Sequence, residues 1–370
     1  MTTSKILQKL ITINSVSGNE AEILEWIKQY LIDLSLKPFK IEDNLIVLIK
    51  GKNSAKAIIF NTHLDTVTAG NKSLWKIAPF SGKQVDGKIY GLGASDEKGA
   101  ITSLLLLAEK LVESQPECDV WLTFVSKEEL DGSGTKTFLN WFSKNHLKMY
   151  TDVAGILGEP TGLTKIEIAH KGNIFLKVTT LGDSGHGSAP KKIKKHSVLE
   201  MYKFSQQIKK LGEQWKKKYS DKALGEPTIG LLTSIQSGDK NSPNKFPDTC
   251  DATFDIRTTP KLHYVAINEI KALNGEVMID FMYPPASYGF TDPKGKIAQI
   301  LQKVSKTKFD VSKGSNDLCF FTEAGIPAVV FGPGEVTAIH KPNEYCELGK
   351  IEKCVQLYQE VIKVYGSQYG

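Results

Sequence analysis

The feature that most constrains the fold is the alternation of short apolar segments with helical segments. Apolar runs typical of buried strands lie at 57–61, 119–125, 153–157 and 328–331. Helical patterns lie at 4–35, 99–113, 138–144, 293–305 and 347–365. Strands that alternate with helices favour a mostly parallel sheet that is covered on both faces. We therefore predict a doubly wound α/β domain.

The pattern changes near Lys171 and changes back after Pro284-Pro285. Between these points, apolar and polar side chains alternate at 173–181, 228–235 and 249–258, and a lysine-rich helix is predicted at about 196–219. Alternation with one polar face is typical of an antiparallel sheet. We predict a smaller α+β domain inserted into the larger α/β domain.

Composition excludes several classes of protein. The 370 residues are 41% hydrophobic and 24% charged, as in globular domains. No apolar run approaches the roughly 20 residues that span a bilayer, and the N-terminus lacks the apolar core of a signal peptide. The five cysteines form no C-x-x-C pair, which argues against a disulfide framework and a thiolate zinc site. We expect a cytoplasmic protein with no membrane partner.

Acidic residues and histidines recur directly after the predicted buried strands. The segments concerned are Asn61-Thr-His63-Leu-Asp65, Ser126-Lys-Glu128-Glu129, Gly158-Glu159-Pro160 and the stretch from Gly332 to His340; Asp96 stands just before the helix at 99–113. In open α/β sheets, sites form at the carboxyl ends of the strands. We therefore expect these side chains to meet at one edge of the sheet.

Such a cluster points to metal ions. Carboxylates crowded at one edge beside two histidines would repel each other unless cations lay among them. Imidazole and carboxylate without thiolate suit Zn²⁺, with Co²⁺ or Mn²⁺ possible, and a bridging carboxylate would hold two ions side by side. The i, i+2 spacing of His63 and Asp65 lets Asp65 accept a hydrogen bond from the His63 ring. Of the adjacent Glu128 and Glu129, one can bind metal while the other acts as a general base.

Arg257 is the only arginine in a chain with 47 basic residues. Lysine cannot replace the planar guanidinium fork that binds a carboxylate with two hydrogen bonds. We interpret Arg257 as retained for such a role; the alternatives are survival by chance and a buried ion pair within the protein. The lysine runs at 191–195 and 216–218 have no interleaved aromatic side chains, which favours a solvated helix face over a nucleic-acid partner.

Several of these segments, in order along the chain, resemble the M20 metallopeptidases. They are His63-Leu-Asp65-Thr-Val, Gly91-Leu-Gly-Ala-Ser-Asp96-Glu-Lys-Gly, Glu128-Glu129, Gly158-Glu159-Pro-Thr, Gly185-His186 and Ile339-His340-Lys-Pro-Asn-Glu. The resemblance is to the branch of acetylornithine deacetylase and succinyl-diaminopimelate desuccinylase. It implies a hydrolase with two Zn²⁺ ions that removes an acyl group from a small anionic N-acyl amino acid. It also implies a catalytic domain at 1–172 and 282–370, and a lid and dimerisation domain at 173–281 of a homodimer.

The resemblance also implies a role for individual residues. Asp96 would bridge the metals, with His63 and Glu159 completing one site and Glu129 and His340 the other. Glu128 would be the general base, and Asp65 the hydrogen-bond partner of His63. Arg257 would bind the substrate carboxylate. His186 would reach the active site of the partner subunit and stabilise the oxyanion.

The sequence departs from the family pattern at three places. Glu97 stands where the family usually has methionine, Thr68 replaces a proline, and an extra glycine follows His186. These departures remove no metal ligand but leave the substrate open. A dipeptidase, aminopeptidase or carboxypeptidase of the same family is the alternative. A non-catalytic metal-dependent binding protein is an alternative of another class, although it would be expected to have lost Glu128 or a ligand.

Overall fold

The structure is a computed structural model that describes residues 1–273 and 276–367. The α-helices are α1 (Thr3–Thr12), α2 (Ala21–Asp33), α3 (Gly99–Glu113), α4 (Ser133–Asn145), α5 (Ser197–Tyr219), α6 (Pro260–His263), α7 (Ala266–Lys271), α8 (Lys296–Ser305), α9 (Leu318–Glu323) and α10 (Leu348–Ser367).

The β-strands are numbered in chain order. They are β1 (Phe39–Ile41), β2 (Asn44–Ile49), β3 (Asn53–His63), β4 (Lys83–Val85), β5 (Lys88–Tyr90), β6 (Cys118–Val125), β7 (Asp152–Pro160), β8 (Lys165–His170), β9 (Gly172–Leu181), β10 (Gly185–His186), β11 (Thr228–Ser237), β12 (Lys245–Phe246), β13 (Thr249–Thr258), β14 (Val277–Phe281), β15 (Gly289–Phe290), β16 (Lys308–Ser312), β17 (Ala328–Gly332) and β18 (Tyr345–Glu347).

The chain divides into two compact units. The first contains Met1–Ala169, Gly289–Ser312 and Asn316–Gly370, and the second contains His170–Tyr288 and Lys313–Ser315. None of the described helices is long and apolar enough to cross a membrane.

The first unit is built on one large sheet. Among the described residues its strand order is β1-β2-β6-β3-β7-β17-β8-β15, and β16 pairs with β8. The central strands β6, β3, β7 and β17 are parallel. The pairs β1–β2, β2–β6 and β8–β17 are antiparallel. The predicted α/β class with a mostly parallel sheet is confirmed, and the antiparallel pairs at its margins were not predicted.

Helices cover both faces of this sheet. Successive residues of a strand point to opposite faces, so a strand that is apolar throughout packs against helices on both sides. Ile58 and Phe60 of β3 pack in the core that contains α3 and α10. Ile59, between them, packs in a second core that contains Phe138 of α4 and Phe321 of α9. All these side chains are buried, which explains why the central strands are continuous apolar runs in the sequence.

The second unit contains an antiparallel sheet of order β11-β13-β9-β14. The even-numbered residues of β13, such as Phe254 and Ile256, are buried against Met201 and Phe204 of α5. The odd-numbered residues lie on the other face, which α5 does not cover. The α+β character predicted from the alternation in 173–181 and 249–258 is therefore present in this unit.

One predicted element is wrong. Residues 4–35 do not form one helix, because α1 ends at Thr12 and α2 begins at Ala21. In the intervening segment the N–H of Ser17 donates to Thr66 O at 3.1 Å, and the N–H of Thr66 donates to Ser15 O at 2.9 Å. Gly18 then takes a positive φ of 91°. This pairing with the segment that follows β3 replaces helical hydrogen bonds and could not be read from the local apolar pattern.

Candidate metal centre

The parallel strands bring the predicted site residues to one edge of the sheet in the first unit. His63 is the last residue of β3, and Glu159 lies at the end of the neighbouring β7. Glu128 and Glu129 follow the end of β6, on the other side of β3. Since parallel strands end at the same edge, the order of the strands places these groups side by side.

Potential metal ligands form two groups that share Asp96. The first group is His63, Asp96, Glu97 and Glu159; the second is Asp96, Glu129 and His340. Within each group, one donor atom from every residue lies within 4.8 Å of the others. Every metal ligand predicted from the sequence belongs to one of these groups, and Glu97 is an addition.

Asp96 faces a histidine with each of its carboxylate oxygens. Oδ1 lies 3.0 Å from His63 Nε2, and Oδ2 lies 3.3 Å from His340 Nε2. Glu129 Oε1 lies 3.0 Å from the same His340 nitrogen. Zinc bonds of about 2.0–2.2 Å in tetrahedral geometry separate donor atoms by about 3.3–3.6 Å. The contacts around Asp96 are close to that spacing, so the donors fit two ions with a carboxylate between them.

Burial and neighbouring carboxylates shift the pKa values of the side chains at this edge. Burial, followed by Glu128 and Asp96, raises the pKa of Glu159 well above its usual range. Burial lowers the pKa of His63, but Glu97 and the other nearby carboxylates outweigh it and raise that pKa well above its usual range. Bound cations would relieve the repulsion among the carboxylates and keep them ionised.

Glu128 is the carboxylate suited to proton transfer. Burial, and next the charge of Asp317, raise the pKa of Glu128 well above its usual range. Glu128 belongs to neither group of potential ligands. A carboxylate whose pKa is raised toward neutrality can accept and then return a proton. Its neighbour Glu129 instead contacts His340 and belongs to the second group of potential ligands.

Asp65 organises the loop that carries both glutamates. Its Oδ1 accepts the backbone N–H of Glu128 at 3.1 Å, and its Oδ2 accepts that of Glu129 at 3.1 Å. Ser17 Oγ donates to Oδ2 at 2.7 Å. The Nδ1 atom of His63 lies 2.9 Å from the Asp65 backbone oxygen and 3.5 Å from Oδ1. Asp65 therefore contacts the His63 ring through its backbone oxygen and, at longer distance, through its carboxylate.

Sequence reasoning missed a further residue that shapes the centre. Glu344 is buried, and its carboxylate accepts the backbone N–H groups of Gly93, Ser95 and Asp96 at 2.8–2.9 Å. These bonds fix the backbone that presents Asp96. Glu344 ends the motif that begins at Ile339, so its position was noted, but nothing in the sequence indicated which N–H groups it would meet.

Arg257 lies in the second unit, where it is paired with a residue of its own strand. Its Nε lies 2.8 Å from Asp255 Oδ1, and one terminal nitrogen donates to Asp255 Oδ2 at 3.0 Å. The other terminal nitrogen donates to Ser315 Oγ at 3.3 Å. The guanidinium carbon lies 5.3 Å from the ring centroid of Phe175. The fork thus contacts a carboxylate of the protein itself, and the side chain is 24% exposed.

His186 also lies in the second unit, on the short strand β10, which pairs with β12. Its side chain is exposed, and Nδ1 lies 2.7 Å from Ser188 Oγ. This contact is local, between residues two positions apart. It orients the ring without indicating what the other ring nitrogen binds.

Comparison with known proteins adds to this geometry. Residues 59–364 match the sequence profile of "Peptidase family M20/M25/M40". An acetylornithine deacetylase of Salmonella arizonae is 26% identical, over 97% of this chain and 96% of the relative. An M20 family metallo-carboxypeptidase of Sulfolobus solfataricus has a similar structure, with a TM-score of 0.78 and 21% identity over 99% of both chains. A dinuclear metal-binding M20 peptidase of Bacillus subtilis has a TM-score of 0.69 and 15% identity, over 98% and 97% of the two chains.

Proposed function

The chain belongs to peptidase family M20/M25/M40 and is a metallohydrolase of amide or peptide bonds, and we propose that it removes the acyl group from a small N-acyl amino acid. The observation that supports hydrolysis at a metal centre is the placement of Asp96, with one carboxylate oxygen toward His63 and the other toward His340. The similarity to an acetylornithine deacetylase over nearly the whole chain supports this substrate class.

We propose that the centre holds two Zn²⁺ ions, which Co²⁺ or Mn²⁺ can replace. His63 and Glu159 would hold one ion, Glu129 and His340 the other, and Asp96 would join both. When bound, such a pair lowers the pKa of a shared water and polarises the scissile carbonyl. Imidazole and carboxylate donors without thiolate support this choice of metal.

Glu128 would act as the general base. It takes the proton of the attacking water, for which its raised pKa suits it, and returns the proton to the leaving amine. The Asp65 carboxylate accepts the backbone N–H groups of both Glu128 and Glu129. These two bonds fix the position of the proposed base relative to the neighbouring ligand. General bases of this kind contribute roughly 10²–10⁴-fold to turnover.

We propose that residues of the second unit take part in substrate binding. We propose that Arg257 binds the α-carboxylate of the substrate, because a guanidinium already suited to the Asp255 carboxylate can bind a second one. His186 would stabilise the oxyanion in the partner subunit of a cytoplasmic homodimer, with residues 173–281 as the lid and dimerisation domain. Its exposed side chain is available for such a contact.

A peptide-cleaving activity is the second candidate. The similarity to a metallo-carboxypeptidase favours it, and a carboxypeptidase would also use Arg257 for the substrate carboxylate. The metal donors do not distinguish the two activities, because both reactions break an amide bond at the same ions.

The test is a hydrolysis panel with metal analysis of the purified protein. It contains N-acetyl and N-succinyl amino acids, dipeptides, and each compound with its carboxylate amidated. We expect turnover of N-acyl amino acids and poor turnover of the amidated forms. Preference for dipeptides would replace the deacylase with a peptidase. A protein that holds two metal ions and cleaves nothing would instead be a non-catalytic binding protein.

A further inference from the structure

Glu97 is the departure from the family pattern that lies closest to the chemistry. It follows Asp96 directly, in a segment where both residues have non-helical backbone angles. Its side chain is 1% exposed. Burial of an ionised carboxylate is energetically unfavourable unless the carboxylate has partners. The proposed reaction does not use Glu97 as the general base or for substrate binding.

The two oxygens of Glu97 have different surroundings. Oε1 accepts the backbone N–H of His63 at 2.6 Å, which anchors the carboxylate beside a metal ligand. Oε2 is buried and has no well-formed hydrogen bond within the described residues. The Thr62 hydroxyl likewise has no well-formed hydrogen bond within the described residues.

The Glu97 carboxylate lies beside β7 and is close to the other donors of the first group. A methyl group added at Gly158, the residue before Glu159, would lie 3.5 Å from Oε2. One oxygen of Glu97 also lies within 4.8 Å of donor atoms of His63, Asp96 and Glu159. The Glu97 carboxylate therefore has an oxygen among a potential set of metal donors, and its hydrogen-bonding capacity is only partly used within the described residues.

We propose that Glu97 is a further ligand of the ion held by His63 and Glu159, so that three carboxylates and one imidazole surround that ion. The inference rests on the proposed two-metal centre. Oxygen donors suit Mn²⁺ better than the thioether of the methionine usual in the family. Glu97 therefore strengthens Mn²⁺ binding at this site and makes it unlike the site of Glu129 and His340.

The alternative is a protonated Glu97 with a purely structural role. Glutamine has nearly the shape of a protonated glutamate, so it would replace such a residue without loss of metal affinity. A metal ligand behaves differently, because the substitution removes a negative charge and an oxygen donor from the ion. Glu97→Gln and Glu97→Met thus separate the two cases.

The experiment is calorimetric titration of metal-free protein with Mn²⁺, without substrate. We expect Glu97→Gln and Glu97→Met to weaken one of the two sites at least about tenfold, the lower limit for losing a supporting group at a metal centre. Asp317→Asn is the matched control, because Asp317 is also buried and affects Glu128 but belongs to neither donor group. Its effect should be clearly smaller. Unchanged Mn²⁺ affinity in folded Glu97→Gln protein would overturn the inference.

A second measurement needs no variant. A crystal structure of the wild-type protein loaded with zinc should place a carboxylate oxygen of Glu97 about 2.0–2.2 Å from an ion. A distance above about 3 Å would overturn the inference even if two ions are present. Both measurements are independent of turnover, so failure of the hydrolysis panel would not be mistaken for failure of this proposal.

Discussion

The two units hold their candidate residues in different ways. In the first unit, Asp96 lies between His63 and His340, and the potential ligands meet within 4.8 Å. In the second unit, Arg257 is paired with Asp255, and exposed His186 contacts Ser188. The cluster in the first unit follows from parallel strands that end at one edge. In the second unit, Arg257 and His186 are each held by separate local contacts. We therefore expect substitutions in the first unit to affect metal binding or proton transfer, and those in the second to affect substrate binding or oxyanion stabilisation in the partner subunit.

The largest effect of a substitution is expected at Glu128. Glu128→Gln removes the base but keeps the size of the side chain, so turnover should fall by at least about 10² while both metal ions stay bound. Steady-state kinetics and metal analysis of the same preparation measure the two effects. Glu129→Gln is the matched comparison, because it should lose metal affinity. Near-normal kcat in Glu128→Gln would remove Glu128 from the mechanism.

His186 is expected to have the next largest effect. His186→Ala should lower kcat roughly 10²–10³-fold if the ring stabilises an oxyanion, with the metal content unchanged. Mixing this variant with Glu128→Gln tests whether it acts across a dimer. Mixed dimers would contain one site with both residues intact and should recover part of the activity. No recovery, after tagged chains confirm subunit exchange, would show that His186 does not act in trans.

Arg257 should give the smallest of these effects. Arg257→Lys keeps the charge but loses the fork, and we expect a loss of about 1.5–3 kcal/mol, mainly as a higher KM. The control is a substrate with an amidated carboxylate, on which the variant should act like the wild type. An equal loss on both substrates would mean that the pair with Asp255 is structural. Asp255→Asn sharpens the comparison, because it frees the fork without removing it.

Much of the first unit could be predicted because local signals and topology agree there. The buried strands are continuous apolar runs, and the side chains after β3, β6 and β7 meet because those strands are parallel. The break between α1 and α2 was missed because Ser15 and Ser17 pair with Thr66, which is distant in sequence. The backbone contacts of Asp65 and Glu344 were missed for the same reason.

For Glu97 and Arg257, the sequence identified an unusual residue but did not predict its contacts. The motif marked Glu97 as unusual, but only the structure shows one oxygen anchored by His63 and the other without a well-formed hydrogen bond. For Arg257, its unique occurrence indicated a carboxylate partner, and Asp255 is such a partner within the protein. Whether a substrate carboxylate also binds there stays a prediction, as does the role of His186.

The most direct test of the account is a metal titration of activity. Chelation should give a metal-free protein that no longer hydrolyses its substrate, because the reaction depends on ions held around Asp96. Stepwise addition of Zn²⁺ should restore activity up to two equivalents per chain, and Co²⁺ should also restore it. Full hydrolysis by protein shown to be metal-free would contradict the account, as would complete recovery at one equivalent with no second ion bound.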